Sequence, residues 1–292
     1  MDFTDRAQVL IEAIPYIRSF YGKTFVIKYG GSAMLNAELK RAVILDLILL
    51  KYLGLNPVVV HGGGPEISAL LKQVGKETIF AQGQRITDAE TMTLVNMVLA
   101  GKINKEIVAL FNQLGGKAIG LSGQDDSLLV AKKKILPGEK IDLGFVGEVE
   151  TIHASLIYTL LDKSYIPVIA PVGVGRDGHF YNINADTVAG ELAGALKAEK
   201  LILLTDTEGI LADPTDPGSL ISVLTTNEAQ YLIETGRIDG GMIPKVEACT
   251  SALRQGVKRT HIIDGRRLHS LLLEVLTDQG IGTMVVEEKE DK

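Results

Sequence analysis

The sequence predicts an α/β fold: a three-layer αβα sandwich around a central, mainly parallel sheet, with an N-terminal helical extension. Three observations carry this expectation. Short β-branched runs alternate with segments of helical period along the chain. Runs such as Leu201-Ile202-Leu203-Leu204 are apolar without a break, as strands buried on both faces are. Two glycine loops, Lys28-Tyr29-Gly30-Gly31 and His61-Gly62-Gly63-Gly64-Pro65, each stand between such a run and a helical stretch.

Taken in order, residues 4–21 form a leading helix that Thr4 can cap. Ala7, Leu10, Ile14, Ile17 and Tyr21 recur at steps of three and four and make one apolar stripe. Pro15 lies inside it and is expected to bend or split the helix. The stripe suits packing on its own subunit or contact with another. Strands are then expected at 24–28, 57–61, 118–121, 166–170, 201–205, 260–263 and 283–286. Helices are expected at 37–53, 65–73, 88–100, 103–113, 152–163, 186–196, 226–235, 244–255 and 266–277. Thr87-Asp88-Ala89-Glu90 and Thr225-Thr226-Asn227-Glu228 both match a capping box. Two insertions read as antiparallel hairpins, one over 128–150 around Pro137-Gly138 and one turning at Asp177-Gly178. The charged segment 287–292 is expected to fray.

The 292 residues allow one large or two modest domains, and 46% hydrophobic residues is ample for a core. No linker rich in Pro, Gly or Ser divides the chain, so any two lobes are expected to share one sheet. A net charge of -6 argues against nucleic-acid binding, and Lys132-Lys133-Lys134 reads as a solvated hairpin edge. Cys249 is the only cysteine, which excludes an intrachain disulfide and a thiolate metal cluster; it reads as a packed residue. His61, His153, His179, His261 and His269 lack zinc-like spacing, so no protein metal site is expected. With no signal-peptide pattern and no membrane-length apolar run, a cytoplasmic protein is expected.

The glycine loops suggest a site for anionic oxygens, phosphate first, because glycine lets a ligand reach backbone N–H groups. Nucleotide signatures of other classes are absent. Gly22-Lys23-Thr24 has Ile17 where a Walker A loop needs glycine, and it precedes a strand. No Gly-x-Gly-x-x-Gly follows the first strand, and no Gly-x-Ser-x-Gly elbow occurs. Gly62-Gly63-Gly64-Pro65 reads as an anion loop or a tight turn. Lys28, at the end of the first strand, either projects into a ligand crevice or makes a structural ion pair. Asn182, Asn184 and Asp186 open a helix; capping by Asn184 accounts for only one of the three. The loop at Asp206-Thr207-Glu208-Gly209 is an ordinary strand exit or a nucleotide contact. Lys245 falls in the first turn of a glycine-led helix, where the dipole disfavours a cation unless an anion answers it. Arg85 reads as a carboxylate fork or a surface ion pair.

Together these motifs resemble the amino acid kinase family, and within it the branch that phosphorylates N-acetyl-L-glutamate in arginine biosynthesis. The marks are Lys-Tyr-Gly-Gly at 28–31, His-Gly-Gly-Gly-Pro at 61–65, Asn-Ile-Asn-Ala-Asp at 182–186, Leu-Leu-Thr-Asp at 203–206 and Gly-Gly-Met-Ile-Pro-Lys at 240–245. The resemblance implies transfer of the ATP γ-phosphoryl group to a side-chain carboxylate, with Mg2+ arriving as MgATP. It implies that Lys28 and Lys245 stabilise the migrating group and that Asp186 holds both lysines. It assigns substrate to Gly63, Gly64, Arg85 and Asn182, and ATP to Gly30, Gly31, Asp206, Arg237, Ile238 and Asp239. It also implies an oligomerisation helix at 1–22, an amino-acid-binding lobe at 23–197 and an ATP-binding lobe at 198–292. The leading helix and the stretch from Asp264 to Glu274, with Gly280-Ile281-Gly282-Thr283, resemble the arginine-inhibited, hexameric members, trimers of dimers. Tyr16, Lys200, His269, Glu274 and Gly282 are then candidates for an arginine site; packing, surface pairing and turn formation are their plainer roles. Some members of this branch bind a nitrogen regulator of the P-II type. One departure is that Ala81-Gln82-Gly83-Gln84, ahead of Arg85, carries Gln where the pattern expects Leu. The rival expectations are a related kinase for another carboxylate, carbamate or nucleotide, and a catalytically silent ligand sensor.

Overall fold

The computed structural model describes residues 3–34, 36–136, 141–213, 215–278 and 280–288. The side chains of Thr4 and Ala7, the Pro137-Gly138 turn and the end of the tail from residue 289 lie outside the described set. The strands are β1 (Thr24–Tyr29), β2 (Asn56–His61), β3 (Phe80–Ala81), β4 (Gln84–Arg85), β5 (Ala118–Ser122), β6 (Leu129–Lys133), β7 (Gly147–Ile152), β8 (Ile166–Ala170), β9 (Val172–Gly175), β10 (Phe180–Asn182), β11 (Lys200–Thr205), β12 (Val223–Thr225), β13 (Arg259–Asp264) and β14 (Thr283–Val286). The α-helices are α1 (Phe3–Glu12), α2 (Ile14–Phe20), α3 (Ala37–Tyr52), α4 (Gly64–Gln73), α5 (Ala89–Asn96), α6 (Asn104–Gln113), α7 (Ser155–Asp162), α8 (Ala185–Ala195), α9 (Thr226–Glu234), α10 (Ile243–Arg254) and α11 (Ser270–Leu276).

Eight strands form one sheet in the order β12-β14-β13-β11-β1-β2-β8-β5. Every pairing in it is parallel except β13–β14. Strand residues alternate between two cores. Val26, Val58, Val60, Leu201 and Leu203 face one core with α7, α8, α9 and α10. Phe25, Ile27, Val59, Ile202 and Leu204 face the other with α3, α4, α5, α6 and α11. This period of two, apolar on both phases, is why the strands read as unbroken apolar runs. The three-layer expectation therefore holds, on one continuous sheet. The insertions hold too: β6 pairs antiparallel with β7, and β9 with β10, and together they make a four-stranded sheet. No helix among the described residues is long and apolar enough to cross a membrane.

The leading helix splits as expected, at Ala13, with Pro15 in the first turn of α2, where its missing N–H costs nothing. Several other expectations need correction. The glycine loop after β1 does not run straight into a helix: a 3₁₀ turn over Gly31–Met34 intervenes, and Asn36 caps α3. Asp88, not Thr87, caps α5, accepting from Thr91 N–H at 2.8 Å. The Thr225–Glu228 box forms as expected. Residues 97–103 wind as a π-helix that joins α5 to α6 without a break. Residue 152 ends β7, and α7 starts only at Ser155. The helix expected from 266 begins at Ser270, because His269 is left-handed, with φ 58°. The hairpin β3–β4 has no counterpart in the sequence reading. Gln82 and Gly83, with φ of 47° and 72°, form its two-residue turn.

Candidate active site

Lys28 shares its side of β1 with Val26, so it leaves the sheet toward α8 and α10. On α8, Asn184 caps the helix by accepting from the N–H groups of Asp186 and Thr187. Asp186, Gly190 and Gly194 recur every four residues and line one face. A Cβ at Gly190 would lie 2.7 Å from the Ala248 carbonyl, so glycine lets α8 and α10 run this close. That face looks onto α10, whose first turn carries Lys245.

The three chemical groups meet. Lys28 Nζ stands 3.0 Å from Asp186 Oδ1, and Lys245 Nζ stands 3.0 Å from Asp186 Oδ2. Lys245 Nζ also donates to the Gly241 carbonyl at 3.3 Å. Asp186 is only 4% exposed. Burial by itself would raise its carboxyl pKa, but the flanking ammonium groups outweigh burial and hold it below the usual carboxylate range. One carboxylate cannot neutralise two ammonium ions. The triad keeps a surplus positive charge, which answers why a lysine tolerates the start of α10.

Two clefts meet at this triad. The smaller, about 240 Å³, is lined by Lys28, Gly63, Gly64, Arg85, Asn182 and Asp186. The larger, about 680 Å³, is lined by Asp206, Arg237, Ile238, Asp239, Lys245 and Arg266. Gly30 and Gly31 line the smaller cleft, so the structure does not group them with the other residues expected to contact ATP. Gly31 sits at the seam: it has φ 72°, and a Cβ there would collide with the Asp206 carboxylate. Lys28 lies near the end of β1, the Gly31 turn follows that strand and Asp206 follows its neighbour β11, and on either side of this pair the connections diverge. Open parallel sheets offer a ligand crevice at such a point.

Arg85 is no surface ion pair. It is buried, donates to the Gly64 carbonyl at 3.0 Å, to Ser68 Oγ at 2.8 Å and to Thr78 Oγ1 at 3.3 Å, and lies 4.9 Å from the Phe80 ring centroid. The β3–β4 hairpin makes this placement. Burial lowers its pKa from the usual arginine value. Asn182 Nδ2 donates to the buried Thr87 Oγ1 at 3.3 Å. The sequence reading missed Ser68, Thr78 and Thr87 behind this cleft, and Arg266 in the larger one. Ser68 stands four residues after Gly64, a helical spacing that was legible; Thr78 was not, because only the hairpin brings it near. Among the described residues no group of three His, Cys, Asp or Glu side chains is placed to hold a metal.

The residues expected at an arginine site divide. Tyr16 and Lys200 line a cleft of about 720 Å³ with Pro15, Phe20, Lys258 and Arg259. Glu274 lies within electrostatic reach of Lys200 but bonds His261 Nδ1 at 2.7 Å and accepts from Ile281 N–H at 3.0 Å. Gly282 packs against the backbone of Ile262 and Ile263. His269 Nδ1 pairs with Asp46 Oδ1 at 2.6 Å and does not line that cleft.

The chain is similar to known proteins. The profile of the Amino acid kinase family matches residues 23–264. The acetylglutamate kinase of Moorella thermoacetica is 59% identical over 288 residues, covering 97% of each chain. Among solved structures, the N-acetylglutamate synthase of Neisseria gonorrhoeae, complexed with coenzyme A and N-acetyl-glutamate, superposes with a TM-score of 0.85 at 26% identity. The likeness covers 99% of this chain, which spans 64% of that structure's length. The same synthase with coenzyme A and L-arginine gives 0.82 at 25% identity, over 99% of this chain and 66% of that one. The chain belongs to the amino acid kinase family, and within it groups with the acetylglutamate kinases.

Proposed function

We propose that this phosphotransferase moves the γ-phosphoryl group of ATP to the side-chain carboxylate of N-acetyl-L-glutamate, a step of arginine biosynthesis. One observation carries the reading: the Lys28–Asp186–Lys245 triad, with its surplus positive charge, lies where a small cleft meets a large one. Phosphoryl transfer asks for positioning and charge neutralisation more than for acid–base groups. The attacking carboxylate is already ionised at neutral pH, so no general base is needed. Lys28 reaches the acceptor side and Lys245 the nucleotide side, while Asp186 fixes the spacing between them. Gly63 and Gly64 offer backbone N–H groups to the acceptor, and Arg85 and Asn182 hold its α-carboxylate and amide. Asp206 and residues 237–239 border the nucleotide cleft, and Gly30 and Gly31 reach the phosphates from the acceptor side. Magnesium enters with ATP, as part of the substrate. The lobes divide near residue 197, with the acceptor lobe before it and the nucleotide lobe after it.

Regulation by arginine and a hexameric assembly belong to the same proposal. Leu10 on α1 and Ile14 on α2, both of the predicted stripe, are exposed, with Val9 and Ile11 exposed beside Leu10, an apolar surface suited to a second copy. Tyr16 and Lys200 line a cleft beside it. A P-II-type regulator is a further candidate partner.

The test is hydroxylamine trapping. Purified protein with MgATP and N-acetyl-L-glutamate should form hydroxamate, and acetylaminoadipate, carbamate and nucleoside monophosphates should serve poorly. A different preferred acceptor would identify a related kinase. Arginine binding with no transfer to any acceptor would identify a sensor. Removing residues 1–21 should leave a smaller particle by light scattering and weaken arginine inhibition; an unchanged particle would refute the assembly role of the helices.

A further inference from the structure

We propose that His61 is a positioning residue: Asn104 locks it as the Nδ1–H imidazole, and it turns the Gly62–Gly63 peptide so that the Gly63 N–H faces the reacting oxygens. The inference rests on the reading of the site as a phosphoryl-transfer centre.

His61 ends β2 and is fully buried. Its Nδ1 lies 2.8 Å from the Gly62 carbonyl oxygen. A carbonyl only accepts, so Nδ1 carries the hydrogen. Its Nε2 lies 3.2 Å from Asn104 Nδ2. The same amide nitrogen donates to the Val168 carbonyl at 2.9 Å and lies farther, 3.4 Å, from the Leu121 carbonyl, while Asn104 Oδ1 accepts from Lys105 Nζ at 3.2 Å. The Val168 carbonyl thus fixes which end of the amide faces the ring, and Nε2 meets a donor. Nε2 is therefore the bare lone pair. Backbone carbonyls assign both ring nitrogens, one directly and one through Asn104. Gly120 makes room for this network, since a Cβ there would collide with Asn104 Oδ1. Burial, with the Lys105 charge adding to it, lowers the ring pKa to about 4, against the pull of the Gly62 carbonyl, so the ring is neutral in the working range.

The consequence is geometric. In a trans peptide the C=O and N–H point in opposite directions, and the described chain has no cis bond. With the Gly62 oxygen drawn to the imidazole, the Gly63 N–H must point away from it. Gly63 lines the smaller cleft. Its other side is closed by Leu99 and Ile103, whose methyl carbons would lie 2.6 and 2.5 Å from a Cβ there. Among the described residues no acceptor meets the Gly63 N–H. Without the imidazole clamp a glycine–glycine peptide is free to flip, because neither residue carries a Cβ to bar the alternative.

The experiment has a spectroscopic arm and a kinetic arm. In 15N-labelled wild type, long-range 15N–1H spectra should show His61 as the Nδ1–H tautomer without change from pH 6 to pH 9. An Nε2–H tautomer, or a titration within that range, would overturn the proposal. Adding MgADP, aluminium fluoride and N-acetyl-L-glutamate should move the Gly63 amide proton downfield; an unmoved signal would also overturn it. Asn104→Leu should lower hydroxamate turnover by about tenfold or more while KM for ATP and for N-acetyl-L-glutamate changes by less than about threefold. Wild-type turnover in a folded Asn104→Leu protein would sink the positioning role alone. No hydroxamate from wild type would sink the functional reading instead. If the variant does not fold, the wild-type spectra still decide.

Discussion

Replacing Asp186 with Asn keeps the shape of the side chain and removes the charge that holds two lysines. At 3.0 Å each pair carries roughly 5 kcal/mol of attraction at an effective dielectric constant of about 20. Much of this is offset, because the amide no longer bears the cost of a buried charge. Breaking one partner of a buried pair costs about 3–5 kcal/mol. The two clefts let water reach both ammonium groups, so the lower figure, about 3 kcal/mol, is the one expected. In a chain of 292 residues that corresponds to a fall in Tm of roughly 5 °C. Turnover should fall further, because displacing an ammonium group by about 1 Å costs on the order of 100-fold. Calorimetry and the hydroxamate assay at saturating substrates read the two effects separately. The pH dependence follows from the depressed carboxyl pKa of Asp186. The stability it gives is fully present above the unfolded value of about 3.9 and is lost as pH falls through the lower folded value. Asp186→Asn should remove that acid-side component. Turnover within about threefold of wild type and an unchanged Tm would refute the account of the triad.

Arg85→Lys should raise KM for N-acetyl-L-glutamate by about 10–100-fold, because lysine cannot reproduce the fork that reaches Gly64, Ser68 and Thr78; saturation kinetics read this directly. Gly31→Ala should raise KM for ATP and cost about 1–2 kcal/mol of stability in a denaturant titration, since φ is 72° and the new methyl meets Asp206. Burial raises the Asp46 pKa to about 6 even though His269 pulls it down. A raised folded pKa gives stability that is complete below about 3.9 and is lost as pH rises through 6, so a 13C titration of Asp46 near 6 should accompany a decline of Tm over the same range.

Asp186 and Lys245 were legible as candidates because local rules made them odd. Asn184 already explained the cap, and a cation at a helix start has no local benefit. Lys28 was legible because it interrupts an apolar strand. None of these rules could say that the three residues touch. That depends on Gly190 lying against Ala248, a contact between helices whose sequences show only small residues at helical spacing. The cleft that Gly30 and Gly31 line was hidden for a related reason. A glycine loop announces room for a ligand, but which cleft it faces is set by the 3₁₀ turn that follows it. Arg85 was misread as open to a surface pairing because the β3–β4 hairpin rests on two residues at positive φ, and Gln82 gives no strong signal for that.

The sequence by itself determined the alternation of strands and helices, the burial of the sheet on both faces, the split at Pro15 and which charged residues stand out as candidates. These follow from spacing along a few residues, where side-chain period and backbone preference act directly. Only the tertiary structure decided that β11 pairs with β1, that β14 runs antiparallel to β13, and that two clefts meet at Asp186. Such outcomes depend on which surfaces from separate stretches of the chain bury one another best, and no local pattern records that choice.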